Sequence, residues 1–396
     1  MSIELMKVLH VIPSLSPAHG GPSKALPLMA EALSAEGVEV TIVTTDDDGP
    51  GRRLPQPVEF PENTDFGPIW RFPKQTEFYK VSFPLSKWIR RHINEFDVVH
   101  VHALFSYTSV AAARIARKAG VPYIIRPLGV LNSYGISNRR KLLKKLSIRR
   151  IEAPLLRDAA AMHFTSNAEK IEAEELSIPM RPRIIPLGIP IAASTEDSHD
   201  PPCRETPYVL FLSRVDPKKN LESLFKAWAD LDDVDQNKWD LRIAGDGPPD
   251  YVTSLKSLAE NLGISDSVFW EGYVSGSDKD RLLREASVFA LPSYSENFGI
   301  AAVEAMGFGL PSLIGKGVAV GEEAVDDHAC LLTDPSPESV RDQLQRLLDD
   351  KNLRSSLGKA AKAFVEREYS LERMGRALSD LYAELTSPAH ESHGSE

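Results

Sequence analysis

Short apolar runs alternate along the chain with stretches whose apolar positions recur at helical spacing. The run KVLHVI at residues 7–12 leads into a loop containing Gly20-Gly21-Pro22-Ser23. A helix-period stretch at 24–36 follows, closed by Gly37, and then the apolar run VEVTIVT at 38–44. A strand, a glycine turn, a helix and a second strand make a βαβ unit, which implies a parallel sheet. The pattern returns with DVVHVH at 97–102, a helix at 108–119 and PYIIR at 122–126. After a basic helix come AAAMHFT at 159–165 and RIIPL at 183–187. Residues 190–207 break the rhythm, being polar and Pro-rich with no apolar face, as expected of a linker. Alternation then restarts, with strands at 208–213, 240–244, 268–271, 288–291 and 311–314 and helices at 220–231, 250–262, 277–285 and around 299–307. The expected fold class is therefore α/β, two Rossmann-like doubly wound domains with ligands in a cleft at the carboxyl ends of their strands. The expected boundaries are 1–190, a linker at 191–207, 208–370, and a final helix within 371–388, with a disordered tail after Ser387.

The length of 396 residues suits two domains, and 42% hydrophobic with 26% charged residues is ordinary for a globular chain. A net charge of −10 argues against a protein that depends on binding nucleic acid, which demands a basic surface. Two cysteines, Cys203 and Cys330, exclude a disulfide scaffold and fit a reducing compartment. The N-terminal apolar run is broken by His10 and Pro13, too short for a signal or membrane segment. The chain reads as cytoplasmic, with the inner membrane face within reach.

Candidate chemistry concentrates in SYSENFGIAAVEAMGFGLP, residues 293–311. On a helix begun at Gly299, Glu304 lies inside and Glu296 in the preceding loop, so both can point toward the helix N-terminus. That terminus attracts a diphosphate, and a neighbouring carboxylate can accept hydrogen bonds from ribose hydroxyls. Helix capping explains the two acids about equally well. A second cluster, Arg214 and Lys219 in the loop after the strand at 208–213, offers two cations to a leaving diphosphate, with Asn220 as an N-cap. Gly245 and the Gly20-Gly21 pair would let backbone approach a ligand, or simply make turns.

With these residues in view, the chain resembles the retaining glycosyltransferases of family four, which have the two-domain GT-B fold. The resemblance covers roughly residues 7 to 387. Glu296 and Glu304 look like that family's E-x7-E acids, Arg214 and Lys219 like its diphosphate-binding pair, and Gly20 and Gly21 like its N-terminal glycine loop. The resemblance implies a nucleotide-sugar donor held by the C-terminal domain. Glu304 would bind ribose, Glu296 the transferred sugar, and the backbone of Asn297, Phe298, Gly299 and Ile300 sugar and phosphate, with Tyr273 and Val274 at the base. It also implies an acceptor on the N-terminal domain and a final helix that crosses back to it. Many relatives carry a His-Gly where this chain has Leu128-Gly129, leaving Arg126 and His102 as the nearest candidates to orient the sugar. For His102 a packed core histidine is an equal alternative, and His10, His100 and His163 read as structural.

Two D-x-D-like stretches, Asp46-Asp47-Asp48 and Asp233-Val234-Asp235, read as solvated loops, so neither metal nor any other cofactor is expected. The stretch NRRKLLKKLSIRR at 138–150 carries seven cations and three leucines on one helical face. It suits peripheral contact with anionic lipid, or simple packing with a solvated basic face. The expected activity is metal-independent transfer, with retention, of a hexose from a UDP-sugar such as UDP-glucose. The acceptor would be a glycan or lipid-linked saccharide of polysaccharide assembly. A GDP-mannose donor, a sugar-nucleotide epimerase and a non-catalytic sensor are the alternatives.

Overall fold

A computed structural model describes residues 5–17, 21–55, 60–131, 148–191, 206–231 and 238–387. The chain divides into one unit of Met1–Gly188 with Leu371–Glu396 and a second of Ile189–Ser370. Residues 192–205 of the expected linker, which include Cys203, lie outside the described residues, as do 138–147 of the basic stretch, Gly20, Asp233-Val234-Asp235 and the tail beyond 387.

The first unit is built on strands β1 (Lys7–Ser14), β2 (Glu39–Thr45), β3 (Pro61–Thr64), β4 (Gly67–Phe72), β5 (Val98–His102), β6 (Tyr123–Arg126), β7 (Ala161–Phe164) and β8 (Pro182–Ile184). They form one sheet in the order β3-β4-β2-β1-β5-β6-β7-β8, parallel except for the edge pair β3–β4. That edge hairpin was not expected, because PENTDFGPIW alternates too little and carries prolines at both ends. The helices are α1 (Gly21–Ala35), α2 (Phe83–His92), α3 (Tyr107–Ala119), α4 (Ala153–Asp158) and α5 (Asn167–Glu174). In α2, Ser82 caps the N-terminus by accepting from the Leu85 amide, and three basic residues occupy the last turn, against the negative end of the dipole.

The second unit contains β9 (Tyr208–Leu212), β10 (Asp240–Ala244), β11 (Val268–Gly272), β12 (Val288–Leu291), β13 (Ser312–Gly315) and β14 (Leu331–Thr333). Its sheet order is β11-β10-β9-β12-β13-β14, and every pair is parallel. Central strands such as β9 (YVLFL) and β12 (VFAL) are buried at every position, as layers of helices on both faces require. Those layers are α6 (Leu221–Ala229), α7 (Pro249–Asn261), α8 (Gly276–Glu285), α9 (Ile300–Gly307), α10 (Ala319–Ala324), α11 (Pro337–Asp349) and α12 (Lys351–Glu368). Trp228 on α6 and Phe211 on β9 are completely buried. Each contributes about 1.5–3 kcal/mol by leaving water. The strand order reverses between β9 and β12, so the loops after these strands flank a switch point.

The last helix, α13 (Leu371–Thr386), belongs to the first unit and lies on α1. The approach is close: a Cβ on Gly375 would stand 2.5 Å from the Ala32 carbonyl oxygen. Beneath α13 the sheet presents a polar layer. His10, His100, His102 and His163 are all fully buried, and Arg126 nearly so. His10 and His100 are neighbours in register across β1 and β5, as are His102 and Arg126 across β5 and β6. The Tyr382 hydroxyl on α13 hydrogen-bonds His100 Nδ1 at 2.8 Å. His10 Nδ1 pairs with His102 Nε2 at 2.9 Å, and His163 Nε2 with the Ile185 carbonyl at 2.8 Å.

The aspartate run departs from expectation. Asp46 and Asp47 are buried rather than solvated, because cations from the loop after β4 meet them. Lys74 Nζ and Lys80 Nζ lie 2.7 and 2.6 Å from Asp47 Oδ1, and Arg53 pairs with Asp46. Ser16 donates to Asp48, and Ser14 Oγ donates to the Asp47 carbonyl at 2.7 Å. Three loops at one edge of the sheet are thus tied together.

Candidate functional site

In the second unit, loops at the carboxyl edge of the sheet carry the main candidates, and two of these loops meet. The loop after β9 carries Arg214 and Lys219, and that after β12 carries Glu296. Lys219 is nearly buried and forms an ion pair with Glu296, which also accepts from Ser293 Oγ at 3.3 Å. Arg214, in the same loop, is exposed. The two loops also meet through backbone, the Tyr294 amide donating to the Lys218 carbonyl at 2.9 Å. Asn220 is not an N-cap by its side chain: it sits in the left-handed region at φ 57° and donates to the carbonyls of Pro292 and Pro335. The amide therefore locks the β9 loop against two others.

Gly299 precedes α9 with φ +91°, and a Cβ there would lie 2.7 Å from Val318 Cγ1. A glycine is needed both for the turn and for that approach. The α9 N-terminus consequently opens beside Glu296, with its first amides unpaired within the helix. Glu304, one turn along, is held by Lys279 of α8 at 2.6 Å, and both side chains are partly exposed. Phe298 turns inward to pack on Tyr369, ring centroids 5.4 Å apart, while Asn297 and Ile300 are half-buried. Tyr273 is 63% exposed after β11, and Val274 is half-buried beside it.

Gly245 meets the chain's own backbone. Its Cβ position lies 1.8 Å from the Ser213 carbonyl oxygen, so it admits the chain's own β9 loop. Close backbone approach is indeed its purpose, but toward the neighbouring loop. The same holds at Gly247 against Val215 and at Gly317 against Tyr294. Glycines thus pack the site loops side by side, extending the order of the sheet beyond its last rungs.

In the first unit, Gly21 opens α1 and is exposed. His102 sits in the packed polar layer with no exposed surface. Arg126 is enclosed beside it, and its Nε has no hydrogen-bond partner. The structure thus places His102 in the interior of the first unit. Burial holds all four imidazoles well below their ordinary pKa, His10 and His163 near 3, and the Arg126 charge adds to this for each. Burial also lowers Arg126 to about 10, against the pull of the Glu169 carboxylate. Ligand atoms of His10, His100 and His102 lie within 4.8 Å of one another, the spacing of a metal triad. The Arg126 guanidinium beside them repels a cation, so a neutral layer fits these residues better than a divalent ion.

The loops after β4, β5 and β6 share one feature. Tyr79, Lys80, Ala103, Phe105 and Leu128, none of them glycine, all adopt positive φ between 49° and 71°. Each such residue costs about 1–2 kcal/mol, and such strain concentrates where a backbone must present a particular surface. Composition carried no sign of this. Lys279 was equally illegible, one charge in the helix GSDKDRLLRE with nothing to mark it.

Two doubly wound α/β units, parallel except at the β3–β4 edge, are the architecture of the GT-B fold. Residues 195–364 match the glycosyl transferases group 1 family, and residues 20–188 match the glycosyl transferase 4-like domain. The chain belongs to the group 1 glycosyltransferases. It is 27% identical over 392 residues to a D-inositol 3-phosphate glycosyltransferase of Arthrobacter sp. (strain FB24), covering 89% of this chain and 88% of that one. It is 28% identical over 183 residues to a GDP-mannose-dependent monoacylated alpha-(1-6)-phosphatidylinositol monomannoside mannosyltransferase of Corynebacterium glutamicum, 44% of this chain and 47% of that one. Among solved structures, Anabaena HepE in complex with UDP and glucose superposes with TM-score 0.72 at 18% identity, covering 96% of this chain and all of that one. Sucrose-phosphate synthase of Thermosynechococcus elongatus gives TM-score 0.73 at 18% identity, covering 96% and 99%. Among the described residues no helix is long and apolar enough to cross a membrane.

Proposed function

We propose that this glycosyltransferase moves a hexose, glucose first among candidates, from a UDP-sugar to a glycan or lipid-linked acceptor, with retention and without a metal. The observation that carries the donor assignment is the Lys219–Glu296 pair at the mouth of α9, beside exposed Arg214. Cleavage of the donor develops positive charge at the anomeric carbon and negative charge on the leaving diphosphate. Lys219, Arg214 and the α9 amides stabilise the second of these, and such prearranged electrostatic stabilisation is where most of the rate gain in charge-separating chemistry arises. Glu296 contacts the sugar, and Glu304 exchanges its Lys279 partner for ribose hydroxyls. With two cations supplied by the chain, the departing diphosphate needs no divalent ion. In the proposed same-face attack that phosphate takes the acceptor's proton, so no protein nucleophile is required. The acceptor binds the first unit, in a cytoplasmic enzyme of envelope or extracellular polysaccharide assembly.

A GDP-mannose donor is the second reading, favoured by the name of the Corynebacterium relative. Calorimetric titration with UDP and with GDP, chelator present, separates the two. We expect UDP to bind, and Glu304→Ala and Lys219→Ala each to weaken it at least about tenfold, the loss of one charge-assisted contact. Preference for GDP would move the donor to mannose. Binding of neither nucleotide would refute the donor site.

A further inference from the structure

Glu169 is a buried carboxylate that the chemistry above does not use. It stands in the first turn of α5, where Ser166 caps the helix by accepting from the Glu169 amide at 3.2 Å. In an ordinary capping box the glutamate would reach back to the amide of the cap residue. Here the carboxylate also reaches beyond the cap residue. Its Oε2 accepts from the amide and the hydroxyl of Thr165 at 2.8 and 2.9 Å, and its Oε1 accepts from the Gly129 amide at 2.7 Å. Glu169 is 3% exposed, so all three bonds form out of water, where a missing partner is costly.

The Gly129 bond ends a strained turn. Leu128 and Gly129 are successive left-handed residues, at φ 59° and 70°, directly after β6. A leucine takes that conformation only when its surroundings impose it. The turn lies at the carboxyl end of a parallel strand, where doubly wound folds hold ligands, and Arg126 at the strand's last position faces the attraction of the same carboxylate. The amide of Ala103, in the neighbouring loop, donates to the Arg126 carbonyl at 2.9 Å, so a shift of the turn reaches the loop after β5 as well.

We propose that Glu169 is the positioning residue of the first unit's ligand edge: by clamping Gly129 to Thr165 it holds the Leu128–Gly129 turn in the strained shape that sugar transfer uses. This role rests on the glycosyltransferase reading and adds to it a residue of the first unit, whereas the donor site was built from the second. The test compares wild type with Glu169→Gln, Glu169→Ala and Thr165→Val. For each, UDP affinity is measured by calorimetry and cleavage of UDP-glucose and GDP-mannose by nucleotide release.

Glu169→Gln keeps the shape of the side chain but can no longer accept on both ends. We expect its kcat to fall at least tenfold, and that of Glu169→Ala further, with UDP affinity within twofold of wild type. Thr165→Val removes one donor to Oε2 and spares the Gly129 bond, so its kcat should stay within threefold of wild type even where its melting temperature falls. Hydrogen exchange over residues 127–131 should quicken in Glu169→Gln and not in Thr165→Val. An unchanged kcat in Glu169→Gln, or equal losses of kcat in Thr165→Val and Glu169→Gln, overturns the proposal. Wild-type protein that binds no UDP and cleaves neither donor overturns the transfer reading itself, and this role with it.

Discussion

Replacing Gly245 by alanine tests whether glycines exist here to pack the site loops against each other. Gly245 adopts φ +147°, and its Cβ would stand 1.8 Å from the Ser213 carbonyl oxygen and 2.9 Å from the carbonyl carbon. Both obstacles are backbone, so no side chain can swing aside. The β9 loop must retreat by more than an ångström, or Gly245 must leave its conformation. Retreat strains two hydrogen bonds, the Ser213 amide to the Ala244 carbonyl at 3.1 Å and the Val215 amide to the Asp246 carbonyl at 2.8 Å. At about 0.5–1.5 kcal/mol each, with about 1–3 kcal/mol for the unfavourable backbone region, the cost is about 2–6 kcal/mol. That is a large share of the roughly 5–15 kcal/mol that stabilises a domain.

Urea unfolding followed by tryptophan fluorescence is a suitable assay, since Trp228, Trp239 and Trp270 report the second unit and Trp70 and Trp88 the first. The second unit's transition should move to lower urea while the first unit's stays in place. UDP affinity should fall with it, because Arg214 and Lys219 ride on the displaced loop. An alanine variant within about 0.5 kcal/mol of wild type, the range of an ordinary surface substitution, would refute the packing argument.

The first unit should lose stability in mild acid. His10 and His163 titrate near 3 in the fold and near 6.5 unfolded, so the unfolded chain binds more protons between these values. The stability from keeping these two histidines neutral is complete above about pH 6.5 and is lost as pH falls toward 3, at about 1.4 kcal/mol per pH unit for each, and His100 and His102 act in the same direction. Melting temperature against pH should show a steep acid limb below about 6.5 that His10→Gln makes shallower, and a flat profile there would contradict the buried neutral layer. Tyr382→Phe should cost about 1–3 kcal/mol by stranding His100 Nδ1 beneath α13, and unaltered stability would mean the hydroxyl bond contributes nothing.

Much of the architecture was legible because parallel strands buried on both faces must be short apolar runs, and the helices between them must show one apolar stripe. The runs at 97–102 and 208–213 declared β5 and β9 in this way. The β3–β4 edge did not, since an edge strand faces solvent and obeys a weaker pattern. Glu296, Gly299 and Glu304 were found because they stand within eight positions of one another around a strand-to-helix turn, and Lys219 because it follows directly on the apolar run at 208–213. Lys279 and Glu169 were not, since each matters through a partner 25 or 40 positions away. The Ser166-x-x-Glu169 spacing is a capping-box signature that could have drawn attention to Glu169.

Local spacing by itself determined the alternation of strand and helix, two α/β units and the residues gathered around the α9 terminus. The tertiary structure alone decided which charges are satisfied. Asp46 and Asp47, polar in any reading of the chain, are buried because Lys74 and Lys80 arrive from the loop after β4 and Arg53 folds back within their own loop. His102, at the end of a strand where a ligand would be met, is fully buried in a layer whose His100 is bonded by Tyr382 of α13, a helix more than 260 residues away that the same unit recruits. Burial and ion pairing depend on which segments meet, and a linear pattern of hydrophobicity carries the tendency to pack without naming the partner.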